Sequence, residues 1–226
     1  MTDDYIIYEN LKSINYNIEE AKVKYRKSDD IIELMAVTKT VNADKVNIAI
    51  SHGIKLLGEN RVQEYLEKKE HYDKSADVHF IGHLQTNKVK YIIKDISMIH
   101  SVDSLKLANE INRLSLQINK ITDVLIEINI GMEESKSGVT PIQLDELFHE
   151  ISELKNIQIR GFMAIPPIYE TEKYFDKMNE LFSVYKSKMT TPILSMGMSG
   201  DYALAIKHGS NLVRIGSGLF GARTYY

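Results

Sequence analysis

The sequence has 226 residues, 43% of them hydrophobic and 26% charged, with a formal net charge of -3, an ordinary globular composition. Cysteine is absent, which excludes a disulfide framework, a thiolate nucleophile and thiolate-bound zinc or iron–sulfur centres, and fits a reducing compartment. The near balance of 28 basic and 31 acidic residues argues against a nucleic-acid partner, and no apolar run reaches the ~18 residues that a membrane span needs.

The acidic start Met1-Thr2-Asp3-Asp4 has no signal-peptide core, so a cytoplasmic protein is expected. An opening helix is predicted over about 4–27. From there short apolar runs alternate with longer amphipathic ones. Strands are predicted at 33–38, 54–58, 78–82, 98–102, 124–130, 158–163, 192–196 and 212–215. Helices are predicted at roughly 43–52, 60–72, 86–95, 103–119, 141–155, 169–189 and 200–208. Some starts carry their own signals: Asp103-Ser104 precedes an apolar-periodic run, and Thr140 precedes Pro141, which suits a first helical position. Strands alternating with helices imply βαβ units and a parallel sheet. Eight of them at this length predict a closed (β/α)8 TIM barrel in a single domain over 1–226, with an open doubly wound sheet as the runner-up. Because little chain follows the eighth strand, the opening helix is expected to fill the place of the last barrel helix.

A barrel carries its chemistry at the C-terminal ends of its strands. Two such places are informative. Lys39 ends the apolar strand Met35-Ala36-Val37-Thr38. It reads either as a lysine snorkelling out of a strand terminus or as an amine able to form a Schiff base with a carbonyl. The second place is the glycine-rich end of the chain, where six of the 12 glycines fall in the last 30 residues. Ser199-Gly200 opens a helical stretch, and Gly216-Ser217-Gly218 follows the eighth strand. Both read either as tight turns or as an anion cradle of backbone N–H groups, the place where barrels often hold phosphate.

Other signals carry less. Gly216 to Gly221 spells G-x-G-x-x-G, but the second strand and acidic residue of a dinucleotide site do not follow. His79 and His83 flank strand residues and so lie ~13 Å apart, too far to share a metal. The basic residues at 68–69 and 186–188 read as ordinary helix surface.

Eight ordered motifs resemble one family. They are Ala36-Val37-Thr38-Lys39-Thr40, Gly58-Glu59-Asn60-Arg61-Val62-Gln63-Glu64, Phe80-Ile81-Gly82-His83-Leu84-Gln85-Thr86-Asn87-Lys88 and His100-Ser101-Val102-Asp103-Ser104. Asn129-Ile130 with Lys136-Ser137-Gly138, Gly161-Phe162-Met163-Ala164-Ile165-Pro166-Pro167, and the segments 194–201 and 213–223 complete them. Over about 30–223 the chain resembles the pyridoxal 5'-phosphate (PLP) homeostasis proteins, barrels of the alanine racemase N-terminal-domain type.

The resemblance implies that Lys39 carries PLP as an internal aldimine and that Ser199, Gly200, Gly216 and Ser217 hold its phosphate. It also implies that Arg214 faces the pyridine nitrogen and that Asn60, His83 and Met163 line the ring pocket. The family often has threonine at position 217; serine keeps the hydroxyl. The implied function is non-catalytic: holding PLP and buffering or supplying it to PLP-dependent enzymes, as a monomer or weak homodimer. The alternatives are a PLP-dependent amino-acid racemase of the same barrel type and a Schiff-base aldolase for a sugar phosphate. A racemase needs a base on each face of the carbanion. Related racemases bring a tyrosine with a second domain, for which the chain is expected to have no room; Tyr225 and Tyr226 are the tyrosines at its end. The aldolase lacks a clear acid–base partner near Lys39.

Overall fold

Thr2 accepts a hydrogen bond from the Tyr5 N–H and caps α1 (Asp3–Tyr25), whose first turn is acidic and last turn basic, as the helix dipole favours. Its buried residues Ile7, Leu11, Ile14, Ile18 and Ala21 recur at three and four and form one stripe. The computed structural model describes residues 2–221; Tyr225 and Tyr226 lie outside them.

Eight parallel strands follow: β1 (Glu33–Val37), β2 (Leu56–Glu59), β3 (Asp77–Phe80), β4 (Met98–Val102), β5 (Thr122–Glu127), β6 (Ile157–Met163), β7 (Ile193–Ser195) and β8 (Leu212–Ile215). They close in chain order, β8 pairing β1 through Met35 with Arg214 and Ala36 with Ile215. The expected barrel is therefore the one that forms. The strands are mostly apolar because both faces are covered. Ala36, Leu57, Phe80, Ile99, Ile126, Phe162 and Val213 face the helical layer. Met35, Leu56, Ile81 and Leu212, with Met98, Leu125 and Met163, fill the barrel. The inward positions also carry His79, His100, Glu127, Ser195 and Arg214, a polar content unusual for a barrel centre.

The outer layer contains α2 (Ala43–Ser51), α3 (Val62–Lys68), α4 (Leu105–Gln117), α5 (Leu144–Ser152), α6 (Thr171–Tyr185), α7 (Tyr202–Lys207) and α8 (Ser217–Phe220). As expected, α1 packs between α7 and α2 and closes the ring. It does not stand alone there, because the one-turn α8 also packs on it. The predicted helix at 86–95 is a 3-10 segment, Thr86–Tyr91. Bonds from Lys88 to Gln85 and Ile92 to Val89 tighten it, and Lys120 Nζ donates to the carbonyls of Ile93 and Ile96, where a regular helix would continue. Position 161 requires glycine, because φ is +152 and a Cβ there would come within 1.8 Å of the Ile193 carbonyl oxygen on β7. Among the described residues no helix is long and apolar enough to cross a membrane.

Candidate functional site

At the C-terminal ends of the strands lies a cavity of about 280 Å³, lined by Val37, Lys39, Asn60, Ile81, Ile165, Met198, Ser199, Gly200, Arg214, Gly216 and Ser217. Barrel closure brings together seven of the nine residues singled out in the sequence: Lys39, Asn60, Ser199, Gly200, Arg214, Gly216 and Ser217. His83 and Met163 are not among the lining residues. His83 is exposed after β3, with Nδ1 3.2 Å from Ser137 Oγ and 3.9 Å from Asp103 Oδ2. Met163 is buried inside the barrel against Met98 and Leu125.

One wall is the turn after β1. The Val41 N–H donates to Thr38 O at 3.0 Å, so Lys39 and Thr40 are the central residues of a tight turn. Thr40 has φ 62, which costs a β-branched residue on the order of 1–3 kcal/mol. Side chains from β2 and α3 surround the turn. Lys68 Nζ donates to Thr38 O (2.9 Å), Val41 O (3.2 Å) and Glu64 Oε1 (2.8 Å). Glu64 Oε1 also accepts from the Thr40 N–H. Beneath them Glu59, fully buried, accepts from Thr38 Oγ1 (2.7 Å) and from the Tyr72 hydroxyl. Burial first, and the Glu59 carboxylate second, push the Tyr72 phenol far above its ordinary range, so it stays a donor. Lys68 therefore departs from the expected helix surface: its side chain is only 12% exposed. An i,i+4 ion pair such as Glu64–Lys68 looks the same in sequence whether it faces water or a turn.

The opposite wall is made of loops after β7 and β8. Ser199 Oγ accepts from the Gly218 N–H at 3.1 Å and lies 3.4 Å from Ser217 Oγ. An alanine Cβ at Gly200 would meet nothing within 4 Å, and one at Gly216 would make only ordinary contacts with Val37, at 3.5 Å and beyond. Asp201 turns back on its own loop, where Oδ1 accepts from the Met198 N–H. Below this wall sits Arg214, 4% exposed, donating to Ser195 O (2.8 Å), Ser195 Oγ (2.7 Å) and Ala164 O (3.0 Å). Burial lowers its pKa to about 10, opposed by Glu127 and Asp201, so the guanidinium remains charged at neutral pH.

Half-buried Glu127 and the buried His79 and His100 share the polar centre of the barrel with Arg214. Glu127 is raised to about 7, mainly by burial and then by Asp103, while Arg214 pulls it down. His79 Nδ1 lies 2.9 Å from His100 Nε2. Burial holds His79 near 3 and His100 well below its usual value, so both rings are neutral. Local sequence places His79 on a strand but carries no sign of this partner, which is 21 residues away on the neighbouring strand.

Comparison with known proteins decides the family. The alanine racemase N-terminal domain family matches residues 10–224. A pyridoxal phosphate homeostasis protein of Aquifex aeolicus is 42% identical over 224 residues, covering 96% of this chain and 98% of that one. The chain belongs to the pyridoxal phosphate homeostasis protein family. Two solved structures fit this placement. PipY of Synechococcus elongatus PCC7942, a structure with PLP bound, superposes with a TM-score of 0.82 at 28% identity, covering 95% of this chain and all of that one. An alanine racemase of Corynebacterium glutamicum reaches a TM-score of 0.74 at 15% identity, with 97% of this chain matching 62% of the racemase. That likeness is one of fold alone.

Proposed function

We propose that this protein binds PLP in the cavity at the strand ends and serves as a PLP reserve, taking the cofactor up and releasing it to PLP-dependent enzymes. One observation carries the reading: a strand-end lysine and two glycine- and serine-rich loops face each other across one small cavity, above a buried arginine. Its volume, about 280 Å³, lies near the lower end of small-ligand pockets, ~300 Å³. The homeostasis name of the relatives and the PLP held by PipY support the same reading. The cysteine-free sequence suits a reducing cytoplasm.

The residues present fit such a cofactor. Asn60 Oδ1 is buried and has no hydrogen-bond partner among the described residues, so it offers an acceptor toward the cavity. Gly200 leaves open the space that a side chain would take, and a side chain at Gly216 would pack on Val37. In this reading the Ser199 and Ser217 hydroxyls and the loop N–H groups hold the phosphate, and Lys39 Nζ provides the amine for covalent attachment. Bound PLP supplies an aldehyde that condenses with a primary amine and a conjugated ring that withdraws electrons. Asn60 and Arg214 bound the ring, with Arg214 toward the pyridine nitrogen. A fixed cation there disfavours protonation of that nitrogen, which weakens the ring as an electron sink. Such a site retains the cofactor while giving little help to carbanion chemistry, in line with relatives named as homeostasis proteins rather than enzymes.

The test is the absorbance spectrum of PLP-loaded protein. The long-wavelength band of a lysine-bound cofactor is expected in the wild type and absent from Lys39→Ala, and borohydride reduction followed by peptide mapping is expected to label Lys39. An unchanged band in Lys39→Ala would refute the assignment. Turnover of L- or D-alanine near the enzyme median of ~10 s⁻¹ would overturn the non-catalytic part.

A further inference from the structure

The turn that carries Lys39 is built at a conformational cost that the chain did not have to incur. Thr40 occupies the position which in a type II turn takes a positive φ, and glycine or asparagine is the ordinary choice there. A β-branched residue holds that conformation only where its surroundings over-determine it. The surroundings do so from one face of α3. Residues 64 and 68 are one helical turn apart, and both reach the turn. The Glu64 carboxylate takes the Thr40 N–H, and the Lys68 ammonium takes the carbonyls of Thr38 and Val41, the residues on either side of Lys39-Thr40. The two are tied to each other at 2.8 Å, and Lys68 Nζ lies 3.2 Å from the buried Glu59 carboxylate. An ammonium has three protons; here they face four oxygens, so the group is saturated and held in place.

We propose that Glu64 and Lys68 are positioning residues for Lys39: they clamp the strained turn and so fix the direction from which its amine enters the cavity. The inference rests on the reading of Lys39 as the attachment point for PLP. It goes further by assigning a role in cofactor capture to two residues that do not line the cavity. The loops on the opposite wall are held by Asp201 and Ser199, not by Glu64 or Lys68, so a loss of the clamp is expected to act on the amine and to spare the phosphate site.

Two ligands separate these effects. PLP uses both walls, whereas pyridoxine 5'-phosphate has the ring and phosphate but no aldehyde. In Lys68→Met and Glu64→Ala the equilibrium constant for covalent PLP capture, read from absorbance, is expected to fall at least about tenfold, the scale of a displaced reacting group. Pyridoxine 5'-phosphate affinity, read by calorimetry, is expected to stay within about twofold. Adding Thr40→Gly to Glu64→Ala is expected to restore most of the capture, because glycine takes the positive φ without the clamp. PLP capture within about twofold of wild type in both variants overturns the proposal. So does a parallel loss of both ligands, and so does a Thr40→Gly double variant with no recovery. If the truncations fail to fold, the isosteric Glu64→Gln decides: selective loss of PLP capture supports the clamp, and unchanged capture overturns it. Lys39→Ala distinguishes the two layers. If that variant captures PLP like the wild type, the reading of Lys39 falls and the proposal with it. If it loses capture while Lys68→Met and Glu64→Ala keep it, only the clamp falls.

Discussion

The two walls of the cavity are made by opposite means. On the β1 side, side chains from β2 and α3 hold a strained turn, with Glu59, Glu64, Lys68 and Tyr72 all engaged in it or beneath it. On the β7–β8 side, the wall is backbone, two hydroxyls, open space at Gly200 and an unclashed glycine at Gly216. Under the proposed function the two walls have different things to present. An amine that attacks a carbonyl works only from a narrow range of directions, and directions are fixed by packed, hydrogen-bonded side chains. A phosphate has charge spread over several oxygens and is met well by N–H groups and hydroxyls at glycine-rich loops. Asp201 turns back on its own loop, and the cation of this side, Arg214, is an exception that comes from below, inside the barrel.

The largest expected effect tests that exception. Arg214→Met leaves the acceptors at Ser195 and Ala164 buried without their donor, a loss of about 3 kcal/mol or more in urea unfolding. A loss below about 1 kcal/mol would mean that the backbone wall stands without its buried cation.

Next comes Glu127, which shares the barrel centre with Arg214. Its folded-state pKa is raised from 4.5 to about 7, so the folded state binds this proton more tightly than the unfolded chain. Stability from this group is full below about 4.5, falls as pH rises to about 7, and stays low above it. Glu127→Gln removes the titration. Relative to wild type it is expected to gain stability progressively across that window, by up to about 3 kcal/mol at pH 8. Thermal melts at pH 4 and pH 8 measure it, and an equal difference at both would contradict the burial of this carboxylate.

A smaller effect separates ligand space from structural space. Gly200→Ala is expected to leave the melting temperature unchanged, because its Cβ meets nothing within 4 Å. The same change should weaken PLP binding about tenfold, or ~1.4 kcal/mol, by intruding on the phosphate. Unchanged affinity would move the phosphate away from this loop. The smallest effect is Ser217→Ala. The loss of one hydroxyl hydrogen bond is worth about 1 kcal/mol, a severalfold rise in the PLP dissociation constant by titration, with no change in melting temperature expected at so exposed a group.

Much of this arrangement was legible along the chain. Strand ends at Lys39, Asn60 and Gly216 could be read from apolar runs and glycine punctuation, since both signals are local. The 3-10 segment Thr86–Tyr91 was not, because Val89, Ile92, Ile93 and Ile96 have the spacing of a helix face, while Lys120, from a distant loop, takes the carbonyls of Ile93 and Ile96 beyond it. Lys68 read as surface because a Glu–Lys pair one helical turn apart has the same spacing whatever it faces. His79 and His100 read as unrelated because strand pairing, not sequence distance, makes them neighbours.

The sequence by itself determined the alternation of strands and helices, the opening helix, and the end of each strand to within three residues. These follow from hydrophobic period and local backbone preference, which act over a few residues. Only the tertiary structure decided that β8 closes on β1, so that Lys39 and Gly216, far apart in the chain, line one cavity. It also decided that His83 stays outside that cavity, that Met163 packs beneath it, and that Lys68 is withdrawn from water to hold the turn carrying Lys39. Burial and pairing across strands are properties of the closed barrel, and no short stretch of chain carries them.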